Sequence, residues 1–382
     1  MNFGETAVQK ELRDLTRRFV QKELTSIVEE DERVERFRPE LIQKLGELGL
    51  TGIPLPEAYG GAGLGYLEYT TVIEELAAGN TGYAISVSVT GLTQIILNLF
   101  GTPAQKEKYI PSLASGKAIG AFSLSEAGSG SDAGSLRTSA KREGDHYIVN
   151  GTKLWCTQGD LANTVILLAR TGEPGAKGIS AFVIEKGMPG FRYGKREKKM
   201  GWNTSHTVEL IFEQVKVPAS NLVGKLGDGF KIAMTALDSG RITIGATAVG
   251  IARAALNTAI SHSQQRQQFG KPISAFQGVS FMLADMAVQL DAAQLMVQRA
   301  AWLKDNSLPH SHEAAMAKLF ATDMAMKVTT DAVQILGGSG YTQDFPVERY
   351  MREAKALQIV EGTNQIQRHI IGRNLTQVSH SS

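Results

Sequence analysis

The apolar residues of this 382-residue chain change their spacing twice, and this change limits the folds that the chain can adopt. Up to residue 118 they recur with a helical period, as at Leu12 and Leu15. From 119 to 228 they form short runs rich in β-branched and aromatic residues, separated by Gly, Asp and Pro turns. From 229 to 382 the helical period returns. The pattern predicts an α+β fold of three domains, with helices at 1–118, a β-barrel or sandwich at 119–228 and a four-helix bundle at 229–382.

The same periods place the individual elements. Four strands are predicted in the middle domain, at 146–149, 165–169, 179–184 and 208–212. Four bundle helices are predicted, two of them around 242–259 and 283–297, and two at about 312–336 and 363–375 with the turn GGSGYTQDFP between these last two. The segment GGAGLG at 60–65 matches a dinucleotide-binding motif only loosely, because it follows a Pro-rich turn rather than a strand. No Rossmann unit is therefore predicted.

Composition excludes several classes of partner. The chain has 40 Lys plus Arg against 38 Asp plus Glu, and a net charge of +2 gives no field suited to nucleic acid. No apolar run is expected to reach the ~18 to 20 residues that span a bilayer. A single cysteine, Cys156, allows neither an internal disulfide nor a Cys-rich zinc site and is read as a small buried hydrophobe, and no metal site is predicted. The N-terminus lacks signal and transit features, which favours the bacterial cytoplasm or, in a eukaryote, the mitochondrial matrix.

Four motifs carry the chemistry of the chain. They are AFSLSEAGSGSD at 121–132, NGTKLWCTQG at 150–159, RQQFGKPISAFQ at 266–277, and QILGGSGY at 334–341 leading into MREAKALQIVEGTNQIQR at 351–368. In the first, small residues leave backbone N–H groups open to a planar polar ring or a phosphate, although a plain Gly/Ser turn fits equally well. In this order and spacing, the four motifs resemble the acyl-CoA dehydrogenase family, and in particular its short- or medium-chain, butyryl-CoA dehydrogenase-like members.

The resemblance implies FAD as the cofactor, held by two sets of residues. The set around the flavin within one subunit comprises Phe122, Leu124, Ser125, Gly130, Ser131, Trp155, Thr157, Thr363 and Gln365. The set that reaches the FAD of a neighbouring subunit comprises Arg266, Gln268, Phe269, Gln277, Gln334, Gly337 and Gly338. Because the site is then shared between chains, the resemblance implies a homo-oligomer, a tetramer built as a dimer of dimers. It also implies electron-transferring flavoprotein as the partner that accepts the electrons.

An acyl-CoA thioester is the implied substrate. Ser131, Asp238, Arg241 and Gly362 match positions that contact it, although an Asp such as Asp238 near the start of a helix would also be a good partner for the helix dipole. Oxidation between Cα and Cβ requires a base for the α-proton while the β-hydrogen leaves as a hydride. Alone, a Glu before Gly reads as a surface carboxylate, but within IVEGTNQIQR the resemblance assigns Glu361 as this base. Some relatives carry the base at the position of Gly240, which has no side chain here.

Departures from the family pattern leave alternatives open. Val360 replaces a common Tyr beside the base, so the acyl chain length and branching are not fixed, with short chains favoured; Ala127 and Gln158 are milder changes in the flavin loops. A glutaryl-CoA dehydrogenase would need an Arg after the Gly82-Tyr83 pair, where this chain has Ala84. An oxidase that passes its electrons to oxygen, and a non-catalytic flavin or acyl-CoA binding protein, are the other hypotheses.

Overall fold

The computed structural model describes residues 4–376, so the outermost parts of the predicted first and last domains, 1–3 and 377–382, lie outside the described residues. The N-terminal part is helical, as predicted. Its helices are α1 Ala7–Phe19, α2 Val28–Arg33, α3 Pro39–Glu47, α4 Tyr66–Gly79, α5 Thr81–Phe100 and α6 Pro103–Ala114. Two of them begin with a reciprocal cap: Thr6 and Gln9 close the start of α1, and Thr102 and Gln105 close the start of α6.

The middle part is one sheet of eight strands. The strands are β1 Gly120–Ser123, β2 Ser139–Glu143, β3 His146–Thr157, β4 Thr164–Arg170, β5 Ile179–Glu185, β6 Phe191–Arg196, β7 Thr207–Pro218 and β8 Leu222–Val223. Their order is β6-β7-β3-β2-β4-β5-β8, and β1 lies parallel to β4. The four predicted strands are confirmed within β3, β4, β5 and β7. The sequence analysis missed the other four, which are short or, like β2 (SAKRE), carry charged side chains on a partly exposed face.

The C-terminal part is again helical but more divided than predicted. A two-stranded hairpin, β9 Gln267–Gln268 with β10 Lys271–Pro272, follows the first long helix. The helices are α7 Gly229–Gln265, α8 Gln277–Asp305, α9 Ser311–Leu336, α10 Gly338–Tyr341, α11 Val347–Leu357 and α12 Asn364–Thr376. Helices α10 and α11 occupy the stretch that the sequence analysis left between the last two helices. Helix α7 starts earlier than expected, so Asp238 lies inside it rather than near its N-terminus.

Helix α7 is the centre of the molecule, because the N-terminal helices and the C-terminal helices pack on it in one shared apolar core. Small residues allow this close packing: a Cβ at Gly250 would lie 2.2 Å from the carbonyl oxygen of Glu74 on α4. A second core joins the sheet to α5 and α6, and a third fills the space inside the sheet. We propose 118/119 and 228/229 as the domain boundaries, since α6 ends at Ala114 before β1 and β8 ends at Val223 before α7.

Helix α5 comes nearest to the composition of a membrane span among the helices that the structure describes. Helix α5 is long and apolar enough to cross a membrane, with a mean hydropathy of 1.5 over its best 18-residue window. In the structure 78% of that window is buried. Residues of α5 pack against α4, α7 and β1, so its apolar character serves the protein core.

Candidate active site

All three parts of the chain contribute to a cavity of about 960 Å³. Helix α5 supplies Val89 and Leu92 at one wall, and α7 supplies Met234 and Leu237 at another. Most of the predicted flavin, substrate and catalytic residues of the first set line the same cavity: Phe122, Leu124, Ser125, Gly130, Ser131, Trp155, Thr157, Arg241, Glu361, Gly362 and Thr363. Residues as far apart in the sequence as Val89 and Thr363 therefore meet around one space that is large enough for a cofactor and a substrate.

Two segments of the sheet domain, 122–131 and the end of β3 at 154–157, form the part of the wall predicted to face the flavin and are called the sheet loops below. The Leu154 N–H donates to the Ser125 carbonyl at 2.9 Å and joins the two segments directly. Trp155 has a φ of 56°, and 55% of its surface is exposed. A residue in this left-handed conformation is uncommon, and here it turns a large aromatic side chain out of the core and into the cavity wall. By contrast Cys156 is buried, as predicted, and burial raises the pKa of its thiol to about 12.

A buried ion pair lies behind these loops and was missed by the sequence analysis. Lys153, with no exposed surface, donates from Nζ to the Leu124 carbonyl at 2.8 Å and to Glu126 Oε1 at 2.8 Å. Glu126 also accepts from the backbone N–H groups of Arg137 and Thr138. Burial lowers the pKa of Lys153 to about 8, against the attraction of Glu126. The pair fixes the path of the flavin loop, and its only sequence signal was a single lysine in a strand with no other Lys, Arg, Asp or Glu.

Glu361 lies in the turn between α11 and α12, with its carboxylate in the cavity. Its Oε2 atom is buried and has no hydrogen-bond partner within residues 4–376. Burial raises the pKa of Glu361 to about 7, although Arg241 and Lys318 act in the opposite direction. A Cβ at Gly240 would lie 2.8 Å from Glu361 Cδ, so the glycine on α7 leaves the space that the carboxylate occupies. An unpartnered carboxylate of this kind is available to take a proton from a ligand in the cavity.

The turn that carries Glu361 is left-handed at two successive residues, with φ values of 56° at Glu361 and 83° at Gly362. Gln367, which is fully buried, donates from Nε2 to the Glu361 carbonyl at 3.1 Å and to the Gly362 carbonyl at 2.8 Å. The fully buried Lys318 on α9 donates to the Gly362 carbonyl at 3.0 Å. The sequence analysis missed both donors. No motif pointed to Lys318, which lies in an alanine-rich helix.

One residue of the first flavin set, Gln365, and one of the substrate set, Asp238, do not line the cavity. Asp238 accepts from Arg241 Nη1 at 2.5 Å and from the Ser311 hydroxyl at 2.9 Å, so it holds Arg241 from behind. Gln365 points away on the exposed side of α12. Arg241 itself is buried and reaches the cavity. The structure thus brings the arginine to the site and leaves its aspartate partner outside the wall.

The whole second set of predicted cofactor residues lies away from the cavity on exposed surface: Arg266, Gln268, Phe269, Gln277, Gln334, Gly337 and Gly338. The hairpin of β9 and β10 presents Phe269, whose side chain is 94% exposed at a φ of 51°. A large aromatic residue held almost entirely in solvent is costly for an isolated chain. Within this one chain, these residues do not contribute to the site.

Comparison with known proteins identifies the family of the chain. The chain matches the N-terminal domain of acyl-CoA dehydrogenases over residues 6–117, the middle domain over 121–215 and the C-terminal domain over 227–376. The chain belongs to the acyl-CoA dehydrogenase family. Members of the family are FAD-dependent oxidoreductases of fatty acid metabolism that act on a CH–CH group. The family resemblance and the predicted cofactor are therefore confirmed.

Individual acyl-CoA dehydrogenases are similar over nearly the full length. The short-chain specific acyl-CoA dehydrogenase of Clostridium acetobutylicum is 46% identical over 97% of this chain and 98% of its own. The solved butyryl-CoA dehydrogenase of Megasphaera elsdenii is 46% identical, with a TM-score of 0.97 over 98% of this chain and 100% of its own. A chain in a structure of the electron transferring flavoprotein of Acidaminococcus fermentans is 49% identical, with a TM-score of 0.98 over 99% of this chain and 100% of that one.

The residues of this acyl-CoA dehydrogenase fit FAD. The outward Trp155 offers an aromatic plane to a flavin ring, and Ser125 and Thr157 place polar groups on the same wall. A Cβ at Gly130 would meet nothing within 4 Å, which leaves the backbone open to a ligand. The cavity is thus built to accept a planar cofactor between the sheet loops and the Glu361 turn.

Proposed function

We propose that this acyl-CoA dehydrogenase oxidises short-chain acyl-CoA thioesters to trans-2-enoyl-CoA and passes the electrons to an electron-transferring flavoprotein. The observation that carries the proposal is the Glu361 carboxylate, which faces the cavity with Oε2 buried and unpartnered within residues 4–376. The similarity to a short-chain specific enzyme, to a butyryl-CoA dehydrogenase and to a chain from an electron transferring flavoprotein structure supports the substrate and the partner.

Glu361 is the base that removes the α-proton. A general base is most effective when its pKa lies near the working pH, and burial raises the pKa of Glu361 to about 7. Below that pH the carboxyl group is protonated and cannot accept the proton, and above it the group is ionised. Gly240 offers no competing base and leaves the carboxylate its space. The Glu361 backbone N–H is proposed to donate to the thioester oxygen, which makes the α-proton more acidic.

The sheet loops and the Glu361 turn orient the reactants on opposite sides of the cavity. FAD bound between them supplies the acceptor for the β-hydrogen, which leaves as a hydride. Trp155 and Thr157 bind the ring, together with Phe122, Leu124 and Ser125, while Gly130 and Ser131 approach the rest of the cofactor and the CoA chain; Thr363 and Gln365 are proposed to complete the cofactor contacts. Arg241, held by Asp238, and Gly362 are proposed to contact the thioester and its CoA arm.

The acyl group is proposed to enter between α5 and α7. Val89 and Leu92 on one side and Leu237 on the other form apolar walls, and Val360 lines the cavity beside the base. Such apolar walls bind an alkyl chain through burial, and the position after Gly82-Tyr83, where a glutaryl-CoA dehydrogenase would need an Arg, is the fully buried Ala84. This favours a monocarboxylic acyl group over a glutaryl group.

Assembly and location are part of the same proposal. The exposed residues of the second set, with Phe269 at 94% exposure, are proposed to bind the FAD of a neighbouring copy in a tetramer built as a dimer of dimers. The bacterial origin of similar enzymes such as that of Clostridium acetobutylicum supports a cytoplasmic location. FAD is proposed to be bound without a covalent bond, so acid precipitation releases it intact.

The proposed function is tested by anaerobic bleaching of the flavin with acyl-CoA thioesters of increasing length, including branched and glutaryl forms. Butyryl-CoA or a similarly short thioester is expected to bleach fastest. The reduced enzyme is then mixed either with electron-transferring flavoprotein or with oxygen. Fast reoxidation by the flavoprotein and slow reoxidation by oxygen support a dehydrogenase; the reverse order indicates an oxidase. A protein that binds FAD but bleaches with no thioester would contradict the proposal.

A further inference from the structure

A lysine lies where a protein interior seldom tolerates one. Lys318 is on α9, has no exposed surface and is surrounded on its own helix by the buried residues Ala314, Ala317 and Ala321. A buried ammonium is unfavourable unless it is hydrogen-bonded or paired with charge. Burial and Arg241 lower the pKa of Lys318, while the neighbouring carboxylates of Glu361 and Asp323 favour its charged form. A fully buried lysine of this kind is therefore expected to make specific hydrogen bonds.

Its hydrogen bonds all go to the turn that carries Glu361. Lys318 Nζ donates to the Gly362 carbonyl at 3.0 Å and to Asn364 Oδ1 at 2.7 Å. Asn364 is in turn held by Thr322 at 3.0 Å and by Asp323 Oδ1 at 2.7 Å. The lysine therefore connects α9 to the turn at the residue after Glu361, and to α12 at its first residue.

The turn needs such support. A non-glycine residue in the left-handed region costs on the order of 1 kcal/mol or more, and it persists where the surroundings fix it. Glu361 is such a residue, with a φ of 56°. Two side chains, Lys318 and Gln367, donate to the Gly362 carbonyl from different helices. Of these two, only Lys318 also brings a charge.

We propose that Lys318 is a positioning residue for the base: its ammonium fixes the Glu361–Gly362 turn and keeps the nearby Glu361 carboxylate ionised. This inference rests on the proposed role of Glu361. The charged groups that act on the carboxylate are Arg241 from α7, itself paired with Asp238, and Lys318 from α9, which Asp323 also faces. Loss of the Lys318 charge leaves Arg241 alone to oppose the effect of burial.

The sign of the effect follows from these contacts. Burial raises the pKa of Glu361 above its ordinary value, and Lys318 lowers it. Removal of the ammonium raises the pKa of Glu361 further, so the base stays protonated to a higher pH. The rise of the bleaching rate with pH therefore moves to the alkaline side. A residue that only supports the turn would lower the rate at every pH and leave the midpoint of that rise in place.

The test compares Lys318→Met with Gln367→Met in the FAD-loaded enzyme. Both variants remove a donor to the Gly362 carbonyl, but only the first removes a charge. Anaerobic flavin bleaching with butyryl-CoA is followed from about pH 5.5 to about pH 9. The Lys318→Met midpoint is expected about one pH unit or more above that of the wild type, with a rate about fivefold lower at pH 7. Gln367→Met is expected to lower the rate at all pH values with its midpoint unchanged.

The outcomes separate this inference from the proposed function. Wild-type protein that does not bleach contradicts the function itself. Wild type that bleaches while Lys318→Met keeps the wild-type midpoint, or while Gln367→Met shifts it equally, overturns the role of Lys318. If Lys318→Met loses FAD, Lys318→Gln, which keeps a donor without the charge, is measured in its place and the same alkaline shift is expected. Loss of FAD or of fold in both lysine variants would assign Lys318 to the fold alone and also overturn the inference.

Discussion

Two groups of residues belong to the family motifs of this acyl-CoA dehydrogenase, and they lie in different environments in the structure. The first group, around Ser125, Trp155 and Glu361, surrounds one cavity and is held by buried donors such as Lys153 and Lys318. The second group, from Arg266 to Gln277 and from Gln334 to Gly338, lies exposed on the outside of the same chain. The first group faces a cavity within the chain, whereas the second group presents polar and aromatic side chains on exposed surface away from that cavity.

This difference shows that a motif can predict the chemistry of its residues without indicating whether they act in their own chain or, as proposed for the second group, in a neighbouring copy. Buried polar atoms around the first group show where its ligand belongs, because unpartnered groups such as Glu361 Oε2 are tolerated at functional sites. The exposure of Phe269 supports the interface proposed for the second group, since exposed apolar patches are common at sites of protein association. Variants in the first group should therefore impair flavin bleaching, whereas variants in the second group should impair FAD occupancy and assembly.

The largest effect is expected for Glu361→Gln, in the first group. The variant keeps the shape of the side chain but removes the base, so FAD content and acyl-CoA binding are retained while bleaching slows by about 10²- to 10⁴-fold or more. Stopped-flow bleaching and a spectral titration of binding measure the two separately. Glu143→Gln, on the exposed strand β2, is the control. A Glu361→Gln rate within about tenfold of wild type would mean that another residue is the base.

Arg266→Ala, in the second group, should weaken FAD binding and assembly while the flavin that remains bound still reacts. Loss of a charge-assisted contact to the FAD of a neighbouring copy is expected to cost about 1.5 to 3 kcal/mol, or roughly 10- to 150-fold in FAD affinity, and to weaken the tetramer with it. Bleaching per bound flavin should stay near the wild-type rate. FAD occupancy and oligomeric state are measured on dilution, with the exposed Arg142→Ala as control. Full occupancy and an unchanged assembly would refute the proposed role between subunits.

Gly240→Ala tests how tightly the first group is packed. The new methyl group would lie 2.8 Å from Glu361 Cδ and 2.9 Å from Oε2, so the carboxylate must move away. We expect bleaching to slow by about tenfold with little loss of stability, because a flexible side-chain end moves rather than the backbone. Gly372→Ala, a helix position with nothing within 4 Å of the new Cβ, is the matched control. Equal rates for the two variants would show that the close contact at Gly240 has no catalytic consequence.

The smallest effect is expected for Val360→Tyr, which fills space beside the base. The larger side chain narrows the acyl end of the cavity, so longer or branched thioesters should lose more activity than butyryl-CoA. We expect the ratio of kcat/KM values for hexanoyl-CoA and butyryl-CoA to fall about three- to tenfold. Bleaching kinetics with both thioesters give the ratio, and FAD content is the internal control. An unchanged ratio would place the limit on chain length elsewhere, for example at Leu92 on α5.

The periodicity of the sequence predicted the three-part fold, because helices and strands place apolar residues at different spacings whatever their partners are. Prediction from periodicity was least accurate for short elements and for strands at partly exposed positions. Strand β2 has too many charged residues to show alternation, and α11 lies in a stretch after the predicted turn to which no element was assigned. The start of α7 was also placed too late, which put Asp238 at a helix end where the structure shows it in the interior.

The sequence by itself determined the family, the cofactor and the identity of the candidate base, since local motifs carry these in their residue types and order. Only the tertiary structure decided which motif residues share a space, that Lys153 and Lys318 are fully buried beneath the flavin loop and the Glu361 turn, and that Asp238 stays outside the cavity. The physical reason is that burial and charge act through space. A lysine in a helix looks the same in the sequence whether solvent or the backbone of a distant turn receives its hydrogen bonds.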